Sequence, residues 1–217
     1  MMADLFDDAE PVQGGALHLA EGAILLRGRT LSVQHALLEG VARIAQAAPF
    51  RNMVTPGGHA MSVAMTNCGA AGWVTDRRGY RYAATDPLDG RNWPAMPAAF
   101  AALARAAAAE AGYPGFAPDA CLINRYAPGA RMSLHQDRDE RDMTRPIVSV
   151  SLGLPAMFQF GGPRRSDPVA RHPLRHGDVV VWGGPSRLNY HGILALKPGE
   201  HPLTGAVRLN LTFRAAR

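Results

Sequence analysis

His135-Gln136-Asp137 places an imidazole and a carboxylate two residues apart. In an extended segment such side chains share one side and can reach a single ion. His-x-Asp alone also describes a polar surface turn, so the reading needs a third ligand. Two histidines and one carboxylate on one face of a metal leave the opposite positions open, as non-haem Fe(II) oxygenases require for co-substrate and oxygen. Of the eight histidines, His191 in Asn189-Tyr190-His191-Gly192 has the best context. Upstream, His176-Gly177-Asp178 turns into the apolar run Val179-Val180-Val181-Trp182, which ends at Gly183-Gly184. The following loop can return His191 to the mouth of a β-barrel beside His135 and Asp137. His172, His176 and His201 sit in polar turns and are expected to be solvated.

The second chemical signal is Arg208-Leu209-Asn210-Leu211-Thr212-Phe213-Arg214. Its alternation puts Arg208, Asn210, Thr212 and Arg214 on one face and the three apolar residues on the other. One reading is a half-buried strand with its polar face in water. The other is a strand whose polar face lines a small barrel. Two guanidiniums there are costly to bury without an anion, and a dicarboxylate such as 2-oxoglutarate would supply bidentate partners.

The elements that must position these groups read as follows. The 217 residues suit one sizeable domain. Ser32 is a candidate cap for a helix over about Val33 to Ala47, with Val33, Leu37, Val41 and Ile44 on one face. A second helix spans about Ala98 to Ala111, opened by Pro97 and closed by Gly112 and Pro114. Between them, residues 50–94 alternate short apolar strands with turns and form a candidate lid. From Ala120 onward come Cys121 to Tyr126, Ile147 to Leu154, Met157 to Phe160, Asp178 to Trp182 and Val207 to Arg214, the spacing of an all-β jelly roll or barrel. The chain therefore divides into an N-terminal helical part over about 1–49, the lid over 50–94, and a strand-rich core over 115–217.

Composition limits the class. No window approaches the roughly eighteen apolar residues of a membrane span. Met1 to Pro11 is acidic and lacks the basic start and apolar stretch of a secretion signal. Cys68 and Cys121 are too few for a disulfide framework, which fits a reducing compartment; a cytoplasmic protein with two inert thiols is expected. The net charge of +5 and pI of 9.8 favour polyanionic partners. Nearly all of that charge is arginine, with Lys197 the only lysine. Such a bias also follows from genomic base composition.

Several longer stretches carry a resemblance. DACLINRYAPGARMSLHQDRDE at Asp119 to Glu140, MVTPGGHAMSVAMTNCG at Met53 to Gly69, SVSLGLPAMFQFGG at Ser149 to Gly162, HGDVVVWGG and RLNLTFR closely resemble the AlkB family of DNA-repair demethylases. The resemblance covers nearly the whole chain. It implies a mainly β fold with flanking helices, a double-stranded β-helix (jelly roll) with a nucleotide-recognition lid before it. It implies Fe(II) held by His135, Asp137 and His191. It further implies 2-oxoglutarate held by Asn124, Tyr126, Arg208, Asn210 and Arg214, with O2 as the other co-substrate. In that pattern Arg214 pairs with the distal carboxylate and Arg208 lies near the chelating end.

The implied activity is oxidative demethylation of bases of the 1-methyladenine and 3-methylcytosine type in single- or double-stranded DNA, with RNA left open as a further substrate. Decarboxylation of 2-oxoglutarate is coupled to methyl hydroxylation and release of formaldehyde. A methyl group on a pairing edge is reached only in a flipped or unpaired base. Trp73 matches a lid aromatic that stacks on that base, with the His135 ring on its other face. Tyr80 and Tyr82 would contact the substrate backbone, and Asp139 and Arg165 the base or its surroundings. Arg77, Arg78 and Arg81, interleaved with the tyrosines, suit a backbone-tracking groove, though they also fit a solvated turn. A methylated adenine or cytosine is cationic, so Asp139 could favour it.

His59 stands where the best-known members have an aromatic, Arg81 separates the lid tyrosines, and Leu209 replaces a bulkier residue. These departures bear on substrate choice. The alternatives are an Fe(II)/2-oxoglutarate hydroxylase of a substrate other than nucleic acid, and a cupin-like metal-binding sensor without turnover. No apolar heptad is visible, and a monomer is expected.

Overall fold

The computed structural model describes residues 14–217; the acidic Met1 to Pro11 stretch lies outside the described residues. The order of elements is β1 (Ala16–Ala20), β2 (Ala23–Leu26), α1 (Gln34–Ala47), β3 (Arg51–Val54), β4 (Ala60–Gly69), β5 (Gly72–Asp76), β6 (Gly79–Ala83) and α2 (Ala98–Glu110). Then follow β7 (Ala120–Tyr126), β8 (Met132–His135), β9 (Ile147–Gly153), β10 (Ala156–Phe160), β11 (Ala170–Leu174), β12 (Val179–Trp182), β13 (His191–Ile193) and β14 (Arg208–Arg214). The strands form an eight-stranded sheet, β1-β2-β12-β9-β14-β7-β4-β3, and a four-stranded sheet, β11-β10-β13-β8. A separate hairpin joins β5 to β6. Helices cover one face of the large sheet and the small sheet faces the other, the jelly-roll architecture expected.

Burial follows from alternation. On β14 all seven residues are buried. Leu209, Leu211 and Phe213 join Leu37 and Phe100 in the core under the helices. Arg208, Asn210, Thr212 and Arg214 face the space between the sheets. Of the two readings of this strand, the enclosed polar face is the one realised.

A second apolar cluster, including Met65, Phe158, Phe160 and Trp182, packs on that side of the large sheet. Leu37, Val41 and Ile44 of α1 are buried, each contributing roughly 1.5–3 kcal/mol by burial. Gly40 lets α1 approach α2: a Cβ there would lie 2.6 Å from Cε1 of Phe100. At the end of α2, Gly112 takes φ +89°, and Tyr113 N–H donates to Ala108 O while Gly112 N–H donates to Ala109 O. That pair of bonds closes the helix as the Gly and Pro signals predict.

Three expectations need correction. Ser32 does not cap α1; Leu31–Val33 is a 3-10 turn, no side chain caps the helix, and Val33 is exposed. The N-terminal part is not simply helical, because β1 and β2 precede α1 and β2 pairs with β12. The run Ala23–Leu26 is too short to show a period. Nor is 50–94 one lid: β3 and β4 extend the large sheet through β7, and only β5 and β6 stand apart.

Candidate active site

Strand pairing brings the two histidines together. His191 opens β13 and is the register partner of His135, which closes β8. Their rings lie 4.4 Å apart. His135 Nδ1 is 2.8 Å from Ser133 O and His191 Nδ1 is 3.0 Å from Asn189 O. A carbonyl can only accept, so each Nδ1 carries a proton, and Nε2 is the ring nitrogen left to act as a ligand. The two Nε2 atoms converge on Asp137: Oδ1 is 3.6 Å from His135 Nε2 and Oδ2 is 3.8 Å from His191 Nε2. These separations are too long for hydrogen bonds. One ligand atom from each residue fits within 4.8 Å of the others, as three donors to one ion would.

Electrostatics favours the metal-binding forms of Asp137 and His191. Burial opposes the charge on Asp137, but Arg214, with His191 and His135, holds its carboxyl well below the usual range. Burial and the neighbouring His135 bring His191 down to about 4. The set is two imidazoles and one carboxylate, the donor chemistry that Fe(II) accepts.

The site opens into a cavity of about 910 Å³ between the sheets. Asn124, Tyr126, Arg208, Asn210 and Arg214 all line it. Arg208 is 1% exposed. Its Nη2 donates to Ser151 Oγ at 2.9 Å and its guanidinium lies over the Tyr126 ring at 5.0 Å. Yet Nε and Nη1 have no protein partner, and neither does Asn124 Oδ1. Orphaned donors on a buried cation are costly unless a ligand anion meets them. A carboxylate of 2-oxoglutarate fits this need.

Arg214 is different. Its Nη2 and Nε donate to Asp137 Oδ2 at 2.6 and 3.1 Å. The division expected for the two arginines is therefore reversed: Arg214 stands at the metal end of the cavity and Arg208 away from it, on Ser151 and Tyr126. Asn210 is a strut between strands, its Nδ2 donating to Ser149 Oγ and its Oδ1 accepting from Asn124 and Thr212.

Toward the mouth, Trp73, Tyr80, Asp139, Arg165 and His59 line the same cavity. Trp73 stacks on Tyr80 with centroids 5.6 Å apart and planes at 19°. The Trp73 indole donates to Asp139 Oδ2 at 2.7 Å. Arg165 donates to Leu134 O and lies over the Tyr190 ring. The other two expected contacts do not reach the cavity. Arg81 pairs across the hairpin with buried Val74, on the face opposite Trp73, and its guanidinium is bound to both oxygens of Asp76. Tyr82 points inward, donating to Glu140 Oε1 at 2.7 Å.

The histidines expected to be solvated are also different. His176 is half-buried, its Nδ1 accepting from Gly153 N–H and its ring stacked on His201; His172 lies in β11 rather than a turn. Sequence reasoning missed Glu140 and Arg187, because Asp137-Arg138-Asp139-Glu140-Arg141 looks like a solvated charge run and Arg187 like loop decoration. The available signal was the surplus of charge so close to a ligand. Ser149, Ser151 and Trp182 were seen only as strand residues.

Comparisons with known proteins agree with this geometry. The family described as "2OG-Fe(II) oxygenase superfamily" matches residues 24–214. The alpha-ketoglutarate-dependent dioxygenase AlkB of Salmonella typhimurium is 61% identical over 215 residues, covering 99% of this chain and 98% of the relative. A DNA N(6)-methyladenine demethylase of Arabidopsis thaliana is 40% identical over 119 residues, covering 49% of this chain and 26% of its own length. The solved structure of OsALKBH1 superposes with a TM-score of 0.83 at 29% identity, covering 92% of this chain and 99% of that one. With a convergent His-Asp-His set and an enclosed arginine lacking its anion, this chain belongs to the 2OG-Fe(II) oxygenase superfamily as a member of its AlkB dioxygenases, enzymes dependent on Fe(II) and 2-oxoglutarate.

Proposed function

We propose that the enzyme demethylates N-alkylated bases of the 1-methyladenine and 3-methylcytosine type in DNA, directly reversing alkylation damage. The observation that carries this reading is the hairpin aromatic pair. Trp73 and Tyr80 form part of the wall of the metal-bearing cavity, and Trp73 is tied to Asp139, two residues from Asp137. A flat π surface tied that closely to the metal loop suits a base taken out of the stack.

His135, Asp137 and His191 would hold Fe(II). Arg208 would take the carboxylate of 2-oxoglutarate remote from the metal, with Arg214 beside the metal end. When bound, Fe(II) with 2-oxoglutarate and O2 supplies oxidation of the methyl C–H bond, and the hydroxymethyl product loses formaldehyde. The chain's own residues do the rest. The apolar walls from Met65, Phe158 and Trp182 exclude water. Asp139 offers a carboxylate to the positive charge of a methylated base, and Arg165 at the rim offers one positive charge to phosphate. The same reading takes the enzyme as a monomer acting in the cytoplasm; among the described residues no helix is long and apolar enough to cross a membrane.

The test is formaldehyde release from single-stranded DNA carrying 1-methyladenine or 3-methylcytosine, with iron(II), ascorbate and 2-oxoglutarate. Release that requires every component and vanishes in His135→Ala is expected. Consumption of 2-oxoglutarate with these bases left intact would sink the nucleic-acid reading and leave the oxygenase chemistry standing.

A further inference from the structure

One buried ionic cluster beside the site is unused by the reading above. Glu140 is 7% exposed. Its Oε2 accepts from Arg187 Nη2 at 2.9 Å. Its Oε1 accepts from the Tyr82 hydroxyl at 2.7 Å and lies 3.2 Å from Arg214 Nε. Arg214 in turn gives both Nη2 and Nε to one oxygen of Asp137, Oδ2. Arg187 donates Nη1 to the Asp137 backbone carbonyl at 2.6 Å and Nε to Arg145 O at 2.8 Å. The segment carrying Asp137 is thus held at its side chain by Arg214 and at its backbone by Arg187, and Glu140 anchors both guanidiniums.

The charges balance: two guanidiniums face two carboxylates. If Glu140 lost its charge, Arg214 would keep Asp137 as its carboxylate partner and would compete harder with a metal for it. With Glu140 in place, Arg214 is shared, stays on Oδ2, and leaves Oδ1 on the side of His135, 3.6 Å from Nε2.

We propose that Glu140 is a positioning residue for the oxygenase reaction: it divides Arg214 between two carboxylates, sets Asp137 for the metal, and through Tyr82 ties the β5–β6 hairpin to the same anchor. This rests on the reading of Asp137 as a metal ligand.

The experiment is titration of the metal-free protein with Co(II), followed by its visible absorption, in wild type, Glu140→Gln, Tyr82→Phe and Asp137→Ala. Glu140→Gln should weaken Co(II) about tenfold or more and change the band shape. Tyr82→Phe, which removes one hydrogen bond from Oε1, should weaken it about two- to fivefold. A folded Glu140→Gln protein with wild-type Co(II) affinity and spectrum overturns the proposal. If Glu140→Gln does not fold, wild-type Co(II) binding by Tyr82→Phe overturns it instead. Asp137→Ala separates the two layers: unchanged Co(II) binding there means the ligand assignment itself has failed, whatever Glu140 does.

Discussion

The two ends of β14 carry the same side chain under different electrostatic conditions. Arg208 and Arg214 share one face of the strand, both are almost fully enclosed, and both line the cavity. Arg214 meets Asp137 and Glu140, and these carboxylates raise its pKa despite burial. Arg208 meets a serine hydroxyl and an aromatic ring, and burial lowers its pKa. A buried cation with its counter-ions built in is a structural part, whereas one with orphaned donors is half of a binding site. Periodicity puts both on the polar face. Only the partners tell them apart.

The largest expected effect attacks the Arg214 end. Arg214→Met strands Asp137 and takes one of two guanidiniums from Glu140, so urea denaturation should show a loss of about 3–5 kcal/mol, the usual cost of breaking a buried ion pair. A loss below ~1 kcal/mol would mean that the two arginines are alike and that the contrast is geometric only.

Arg208→Met should do the reverse. Without 2-oxoglutarate it removes a cation that lacks a counter-ion, so stability should hold or rise by about 1–2 kcal/mol. The affinity for 2-oxoglutarate should fall about 100-fold, near 3 kcal/mol, because a charge-assisted pair is lost. Calorimetric titration of the metal-loaded protein reads this, and unchanged affinity breaks the comparison at its other end.

This pair also marks how much of the site was legible. His135, Asp137 and His191 could be read because two-residue spacing and the turn-strand-loop before His191 are local signals, and β8–β13 pairing then did what the topology required. The polar face of β14 could be read from alternation. Which arginine meets Asp137 could not, because that contact joins β14 to the segment after β8 and is long-range. Arg81 and Tyr82 failed for the same reason. Alternation separates Arg81 from Tyr80 but does not say which hairpin face meets the cavity, and a tyrosine hydroxyl committed to Glu140 looks the same in sequence as a free one. In the fold, β7, β9, β10, β12 and β14 carried runs long enough to see, while β1, β2, β11 and β13 are short or interrupted by polar residues and exist because neighbouring strands pair with them.

The hairpin offers a smaller version of the same contrast, a committed guanidinium on one face and available aromatics on the other. Trp73→Ala should weaken binding of a methylated single-stranded oligonucleotide by about 1–3 kcal/mol, the usual worth of one base–aromatic stack. Arg81→Ala should change it by less than about 0.5 kcal/mol, since Asp76 already neutralises that guanidinium. Fluorescence anisotropy of the labelled oligonucleotide measures both, and equal losses would show that both faces of the hairpin meet substrate.

His176 shows a third way to bury a basic group, as a neutral one, and it sits at the Arg208 end. Its Nδ1 accepts from the N–H of Gly153, the register partner of Arg208, and its Nε2 lies 2.6 Å from Gln34 Oε1. Burial, with His201 and His35 nearby, brings its pKa down to about 4. The folded value lies below the unfolded one near 6.5, so the unfolded chain takes the proton first as pH falls. The stabilisation is complete above pH 6.5 and is lost progressively toward pH 4. A shift of this size sets a ceiling near 3 kcal/mol, and partial solvent access reduces it to about 1–2 kcal/mol. Subtracting the stability–pH curve of His176→Gln from that of wild type cancels the carboxylates common to both. The difference should slope between pH 6.5 and 4 and be flat above. A flat difference throughout would mean that His176 takes up its proton without cost despite facing the Gly153 N–H donor, and that the Arg208 end of β9 is looser than its hydrogen bonds imply.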